Sequence, residues 1–433
     1  MKNLYKIIVF VIVILIQIKS EAQTESPAPK QAKSVLLLGG FAHIGNGTVI
    51  ENSAIGFVGG KLTLVADART IKLQANAFDT TINIHGKHVY PGFIAPNSTL
   101  GLIEIDAVKA SDDQAEVGSY TPHVRSIIAY NTESKITTTV RSNGVLMAQV
   151  TPRGDVISGT SSVVQLDAWN WEDATYKLDD GIHVNWHKMY NSWTGKPNEK
   201  YQDGLNELKR FFTDAFAYSK EKNYSTKNLR FESMRGLFDG KQTLFIHTNF
   251  SKEIIDAIHC FKEIGVKKMV IVGGYDAWLV ADLLKDNNVA VVLKRVHDLP
   301  SGEDEDVYLP YKMAKKLFDL GILFCLENSG DMEAMGTRNL PFYAGTTVAY
   351  GLNKEEALKL ITLNTAKILG IDSTCGSIEL GKDATFFIST GDALDMRTNN
   401  VEQAYIQGRN IDLENHQKQL YKKYSNKYLE KQK

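Results

Sequence analysis

Apolar and polar positions fall into two textures along the 433 residues. Over residues 34–90 short apolar runs are broken by Gly and Asn. Val35-Leu36-Leu37-Leu38 precedes Gly39-Gly40, residues 54–58 and 62–66 flank Gly59-Gly60-Lys61, and Thr81-Ile82-Asn83-Ile84 leads to His85-Gly86-Lys87. Short apolar runs bounded by turn residues predict strands, and the Gly-Gly-Lys junction predicts a hairpin. After Pro91-Gly92, apolar strands alternate with helical spacing. Residues 145–150, 244–246, 269–272, 289–293 and 322–326 read as buried strands. Residues 205–220, 252–264, 277–285, 311–320 and 354–369 read as helices, the last with Asn353 as N-cap. The short-strand texture returns over 376–413. Alternating strands and helices over this length predict a parallel α/β sheet, most simply a closed barrel. The flanking β-rich pieces then pair into one small domain that carries the barrel as an insertion.

Bulk composition adds exclusions. The chain is 43% hydrophobic and 23% charged, ordinary for a globular protein with a large core. With 49 basic and 50 acidic residues, no nucleic-acid partner is implied. The Lys- and Tyr-rich stretch 414–433 reads as a solvated C-terminal helix. At the N-terminus, Lys2 and Lys6 precede an apolar run over 7–18, then Ser20-Glu21-Ala22 and Gln23. That pattern reads as a secretory signal peptide over 1–22, followed by a linker over 23–33. The run is shorter than a membrane span. The expectation is an exported protein, periplasmic or extracellular, with no membrane contact after cleavage. Cys260, Cys325 and Cys375 are widely spaced, so they read as buried thiols and not as a disulfide framework or a metal motif.

Specific segments resemble the amidohydrolase superfamily, close to its imidazolonepropionase-like and dipeptidase-like members. Tyr90-Pro91-Gly92-Phe93-Ile94 is similar to the end of that family's leading β domain. Gly351-Leu352, Ala357-Leu358, Thr362-Leu363-Asn364, Ala366, Leu369-Gly370, Gly376-Ser377-Ile378 and Gly381-Lys382-Asp383-Ala384 resemble its closing signature. Val401 through Gly408-Arg409 resembles its last strand pair. The resemblance runs from about Ser34 to Leu413 and is weakest between His187 and Leu229. It implies a (β/α)8 TIM-like barrel over 91–370, inserted in a small β-sandwich built from 34–90 and 371–413.

The resemblance also implies a site. Family members hold one or two divalent metals, typically zinc, with two His on strand 1, one each on strands 5 and 6, a Lys or Glu on strand 4, and an Asp on strand 8. The metal lowers the pKa of a bound water to about 7, and the strand-8 Asp takes its proton. Here Asn97 and Thr99 stand at the strand-1 positions, Gly273 at strand 6 and Asn328 at strand 8; His247 alone matches, on strand 5. An amide and a hydroxyl are poor zinc ligands, and a carboxamide is no base. Glu327 adjoins Asn328, and a one-residue shift in register would retain a carboxylate at the general-base position. Neighbouring strand residues face opposite sides, so only one of the two points inward.

Arg153 lies in a Gly/Ser/Thr-rich stretch, 150–162, read as a loop on the barrel's C-terminal face. There it could hold a substrate carboxylate bidentately, or pair with a local acid. Asn97 and Thr99 join it as candidate substrate contacts. Trp169 and Trp171 either wall the same pocket or pack. His183 and His187 have the i,i+4 spacing of a helical metal pair, although the segment also reads as loop or strand. His43, His85 and His88 read as structural or surface residues. Two functions compete. One is a hydrolase acting on carbon–nitrogen bonds of a small amide or dipeptide-like molecule, with zinc implied by the family but most ligands replaced. The other is a pseudoenzyme that binds such a ligand, or pairs with an active homologue. The resemblance alone suggests a homo-oligomer.

Overall fold

A computed structural model describes residues 26–429 apart from 75, 192–193, 222–225 and 331. The expected signal peptide lies outside the described residues. The centre of the molecule is an eight-stranded sheet in which the strands follow one another in chain order. They are β1 (Phe93–Ser98), β2 (Val145–Val150), β3 (Ile157–Gln165), β4 (Thr175–Asn185), β5 (Thr243–Thr248), β6 (Met269–Gly273), β7 (Ala290–Leu293) and β8 (Phe324–Leu326). β1 runs parallel to β2, and β4 through β8 are parallel to one another. β3 is antiparallel to both its neighbours. The sheet is therefore a TIM-like barrel with one reversed strand, not a uniform (β/α)8 repeat. Connection length explains the reversal. A parallel crossover takes a dozen or more residues, whereas β2 and β3 are joined only by residues 151–156, and β3 and β4 only by 166–174. The stretch 150–162, read above as one loop, is thus a short turn followed by a buried barrel strand.

Period-two burial separates two cores. Ile94, Met147, Val163, Phe245, Val270, Val272, Val292 and Cys325 fill the barrel. Phe93, Val145, Ile182, Leu244, Ile246, Ile271, Val291 and Phe324 face outward, in one cluster with residues of the surrounding helices. The alternation determines what the barrel mouth presents: His247 lies two residues beyond Phe245, and Glu327 two beyond Cys325.

Between β8 and β1 the chain at 360–362 acts as a bridge. Leu326 N–H donates to Leu360 C=O at 3.1 Å, and Ile94 N–H donates to Ile361 C=O at 2.9 Å. To offer these carbonyls, the helix expected over 354–369 breaks into Lys354–Lys359 and Leu363–Leu369.

Two further sheets stack beside the barrel. One orders Lys61–Asp67, Ser53–Val58, Val35–Leu38 and Thr80–Asn83. The other orders Arg409–Ile411, Val401–Ile406, Phe386–Ser389, His88–Pro91, Phe41–His43 and Val49–Ile50. Both chain ends contribute, because Phe386–Ser389 pairs antiparallel with His88–Pro91. Leu37, Ile55, Phe57 and Leu62 pack against Val89, Phe386 and Tyr405 between the sheets. Residues 26–33 are tied down rather than free. Ala28 N–H donates to Asp167 at 3.0 Å, and Gln31 Oε1 accepts from Gly60 N–H at 2.8 Å. Asp167 is itself buried between Arg141 (2.8 Å) and Arg409 (2.6 Å). No helix of the described residues is long and apolar enough to cross a membrane.

Candidate active site

The barrel mouth is built around Asn97. β1 carries a register shift between Ala95 and Ser98, and Asn97 adopts φ +48°, a left-handed conformation that Asn tolerates better than most residues. Such a bulge re-aims a side chain. Asn97 Nδ2 donates to Glu327 Oε2, while its Oδ1 and backbone carbonyl accept from Arg153 at 3.0 and 2.9 Å. Arg153, on the 151–156 turn, also forms an ion pair with Glu333. Glu333 in turn accepts from Thr99 N–H at 3.1 Å. Arg153 is thus engaged in a local ion pair, with its side chain 25% exposed.

Glu327, not Asn328, is the strand-8 side chain that faces inward. Asn328 turns away: its Oδ1 accepts from Tyr343 Oη at 2.6 Å, and its Nδ2 donates to the Glu333 carbonyl at 2.9 Å. Glu327 is 1% exposed. Burial pushes its carboxyl up to about 7, against the lowering pull of hydrogen bonds from Asn97 and Ser329. Glu333 is also raised by burial, opposed by Arg153.

Deeper in the barrel the network continues. Asn97 N–H donates to Gln149 Oε1 at 3.0 Å. Gln149 Nε2 and Ser161 Oγ both donate to Asp180, at 2.8 and 2.7 Å. Desolvation raises the Asp180 carboxyl as well. Arg153 is thus the cation at the mouth of a network holding three carboxyl groups, with Lys177 acting on the deepest, Asp180. It directly pairs with one, Glu333, while burial favours the neutral form of Glu327 and Asp180.

His183 and His247 form a separate pair, with Nδ1 and Nε2 2.8 Å apart. Their spacing partner is not His187: His183 lies inside the barrel, stacked on Phe245 at 4.7 Å between centroids. Burial lowers both rings, His247 to about 3 with help from the Arg153 charge, so both are neutral at pH 7. Among the described residues, His183 Nε2 is buried with no hydrogen-bond partner, as is His187 Nε2. Trp169 and Trp171 lie beyond the far end of β3. Because β3 runs backwards (Gln165 pairs with Met147 near the start of β2), they are at the opposite end of the barrel from Arg153.

The residues present do not fit the zinc that the resemblance implied. Asn97 is committed to Arg153 and Glu327, and His247 commits Nε2 to His183. Gly273 has φ +101°, and a Cβ there would stand 2.6 Å from Asn249 Oδ1, so a His at this position is strained and obstructed. Among the described residues no group of three or more His, Cys, Asp or Glu is placed to hold an ion. A guanidinium hydrogen-bonds the strand-1 residue that would be a ligand.

Gln149, Asp180, Ser329, Glu333 and Tyr343 are missed by sequence reasoning, and Ser161 enters it only as part of the 150–162 stretch. Only Gln149 leaves a signal, as a polar residue inside the apolar run 145–150. His43 and His88 are structural in geometry. His43 bonds Glu355 at 2.7 Å and His88 at 3.1 Å, and stacks on Tyr90. All three cysteines are free.

Barrel and flanking sandwich define a TIM-like barrel carried by a β-sandwich to which both chain ends contribute. The amidohydrolase family model matches residues 170–411, and the chain belongs to that family. The chain is similar to the amidohydrolase tasK of Hapsidospora irregularis, 22% identical over 360 residues, covering 72% of this chain and 36% of that protein. It is also similar to the imidazolonepropionase of Syntrophobacter fumaroxidans, 33% identical over 82 residues, 19% of each chain. The matched stretches thus span little more than a third of the first relative and about a fifth of the second. Among solved structures, an amidohydrolase from Thermotoga maritima superimposes with TM-score 0.75 at 22% identity, over 87% of this chain and 99% of that one. A Xaa-Pro dipeptidase with bound methionine superimposes with TM-score 0.55 at 14% identity, over 88% and 100%. At these identities the likeness to solved structures shows the fold.

Proposed function

We propose that this protein is a metal-independent member of the amidohydrolase family that binds a small amide or dipeptide-like ligand at the barrel mouth without hydrolysing it. The carrying observation is the Arg153–Asn97 contact, a permanent cation bonded to the amide that stands at one of the two strand-1 positions where the family's chemistry calls for an imidazole. The ligand class rests on the relatives, which include an amidohydrolase and an imidazolonepropionase, and on the general use of the C-terminal face of such barrels. Export rests on the N-terminal sequence pattern.

The competing reading is a hydrolase. It is favoured by Glu327, a carboxyl titrating near 7 and so suited to general acid–base work. Ser329 Oγ donates to the same carboxyl at 2.5 Å and is the hydroxyl such a base would act on.

Purified protein incubated with a panel of cyclic amides, N-acyl amino acids and dipeptides, with and without added zinc, separates the two. The proposal expects no turnover under either condition, with ligand-induced thermal stabilisation by some panel members that is lost in Arg153→Ala. Turnover that disappears in Glu327→Gln would establish the hydrolase instead.

A further inference from the structure

The C-terminal helix, His416–Leu429, has no buried residue. It is joined to the body near its first turn. Thr139 Oγ1 donates to Gln417 at 2.8 Å, and Asn415 Nδ2 donates to Ser142 at 3.0 Å. Beyond that turn Leu420, Tyr421, Tyr424 and Tyr428 are 37%, 75%, 51% and 61% exposed. Helical periodicity gathers these four on one stripe. Lys418, Lys422, Lys423 and Lys427 lie on the remaining circumference with Gln, Asn, Ser and Leu429, and the helix contains no Asp or Glu, although Lys422 pairs with Glu414 just before it at 2.6 Å and Lys418 donates to the Leu413 carbonyl at 2.9 Å. Lys423 and Lys427 extend over the rings of Tyr424 and Tyr428, at 5.8 and 5.9 Å from the centroids.

A helix this short with no packed face is marginal in water, so the stripe calls for a covering surface. Charge complementarity selects it. A second copy of the helix would bring lysines against lysines. An anionic bilayer matches both features: tyrosine rings sit at headgroup depth with their hydroxyls wet, and the lysine ammonium groups reach the phosphates. We propose that this helix docks the protein on the surface of a membrane containing anionic lipid. The claim is independent of what the barrel binds, and it departs from the sequence reading of a merely solvated tail.

The test is sedimentation of the full chain with vesicles of phosphatidylcholine alone, or of phosphatidylcholine mixed with phosphatidylglycerol. Binding should favour the mixed vesicles and weaken with salt. The quadruple variant K418Q/K422Q/K423Q/K427Q should partition at least tenfold less, at about fivefold per lysine near the surface. Both chains carry the same apolar N-terminal stretch, so the difference between them reports the helix. The triple variant Y421S/Y424S/Y428S keeps every charge and should also lose binding. Equal partitioning of parent and quadruple variant would overturn the proposal. So would equal binding of the parent to both vesicle types, or full binding by the tyrosine variant.

Discussion

Arg153 sets the electrostatics of the barrel mouth. It pairs with Glu333 and orients Asn97, with side chains of Arg153 and Glu333 25% and 12% exposed. Arg153→Met keeps the volume and strands the partners, so it should cost about 2–4 kcal/mol in urea unfolding. A loss below about 0.5 kcal/mol would mean that the pair is ornamental. Glu327 gives the second test at this scale. Its carboxyl lies near 7 in the folded protein and near 4.5 when unfolded, because burial disfavours the charge. The folded state therefore binds the extra proton between those values. Stability falls as pH rises through that window and stays lower above it. Glu327→Gln removes the titration. It should be more stable than the parent at pH 8, by up to roughly 3 kcal/mol, with the advantage vanishing near pH 4. Thermal melts of both proteins across pH 4–9 measure this, and a variant less stable at pH 8 would show that the ionised carboxylate is favoured by its surroundings. The choice between Glu327 and Asn328 was not legible in the sequence, since a single strand register decides which of two neighbours faces inward. That the position expected for a strand-6 imidazole holds Gly273 was legible. That this glycine is required by its backbone conformation was not.

At the scale of elements, long periodic segments were readable. Residues 145–150, 252–264 and 269–272 lie within strands or helices of matching type, because burial on one face imposes their spacing. Two features were hidden for a shared reason: both depend on what lies beside the segment. β3 is rich in Gly, Ser and Thr and resembles a loop, yet it is buried between β2 and β4, where small side chains and Ser161 face a polar interior. The break at 360–362 interrupts an apolar spacing that continues through it, and it exists to complete hydrogen bonds on the open edges of β8 and β1. Asp167 ties three elements: the helix Lys135–Arg141, the strand Arg409–Ile411 and the N-terminal segment at Ala28. Its side chain is 4% exposed, so Asp167→Asn leaves two guanidinium groups without their counter-charge. The expected cost is about 3–5 kcal/mol in urea unfolding, and a change under about 1 kcal/mol would remove the node from the account.

Across the whole molecule, the chain has the family's architecture, and polar contacts hold its barrel mouth together. The sandwich joins both chain ends, the barrel keeps its inward and outward cores, and an arginine–carboxyl–amide network runs from Glu333 through Asn97 and Gln149 to Asp180. If that network has replaced the metal centre, supplying metal should change nothing. The most direct measurement is the zinc content of the protein after equilibrium dialysis against micromolar zinc, compared with that of His247→Ala. The account predicts that the two proteins retain the same amount, well below one ion per chain. About one zinc per chain in the parent, absent from His247→Ala, would contradict it.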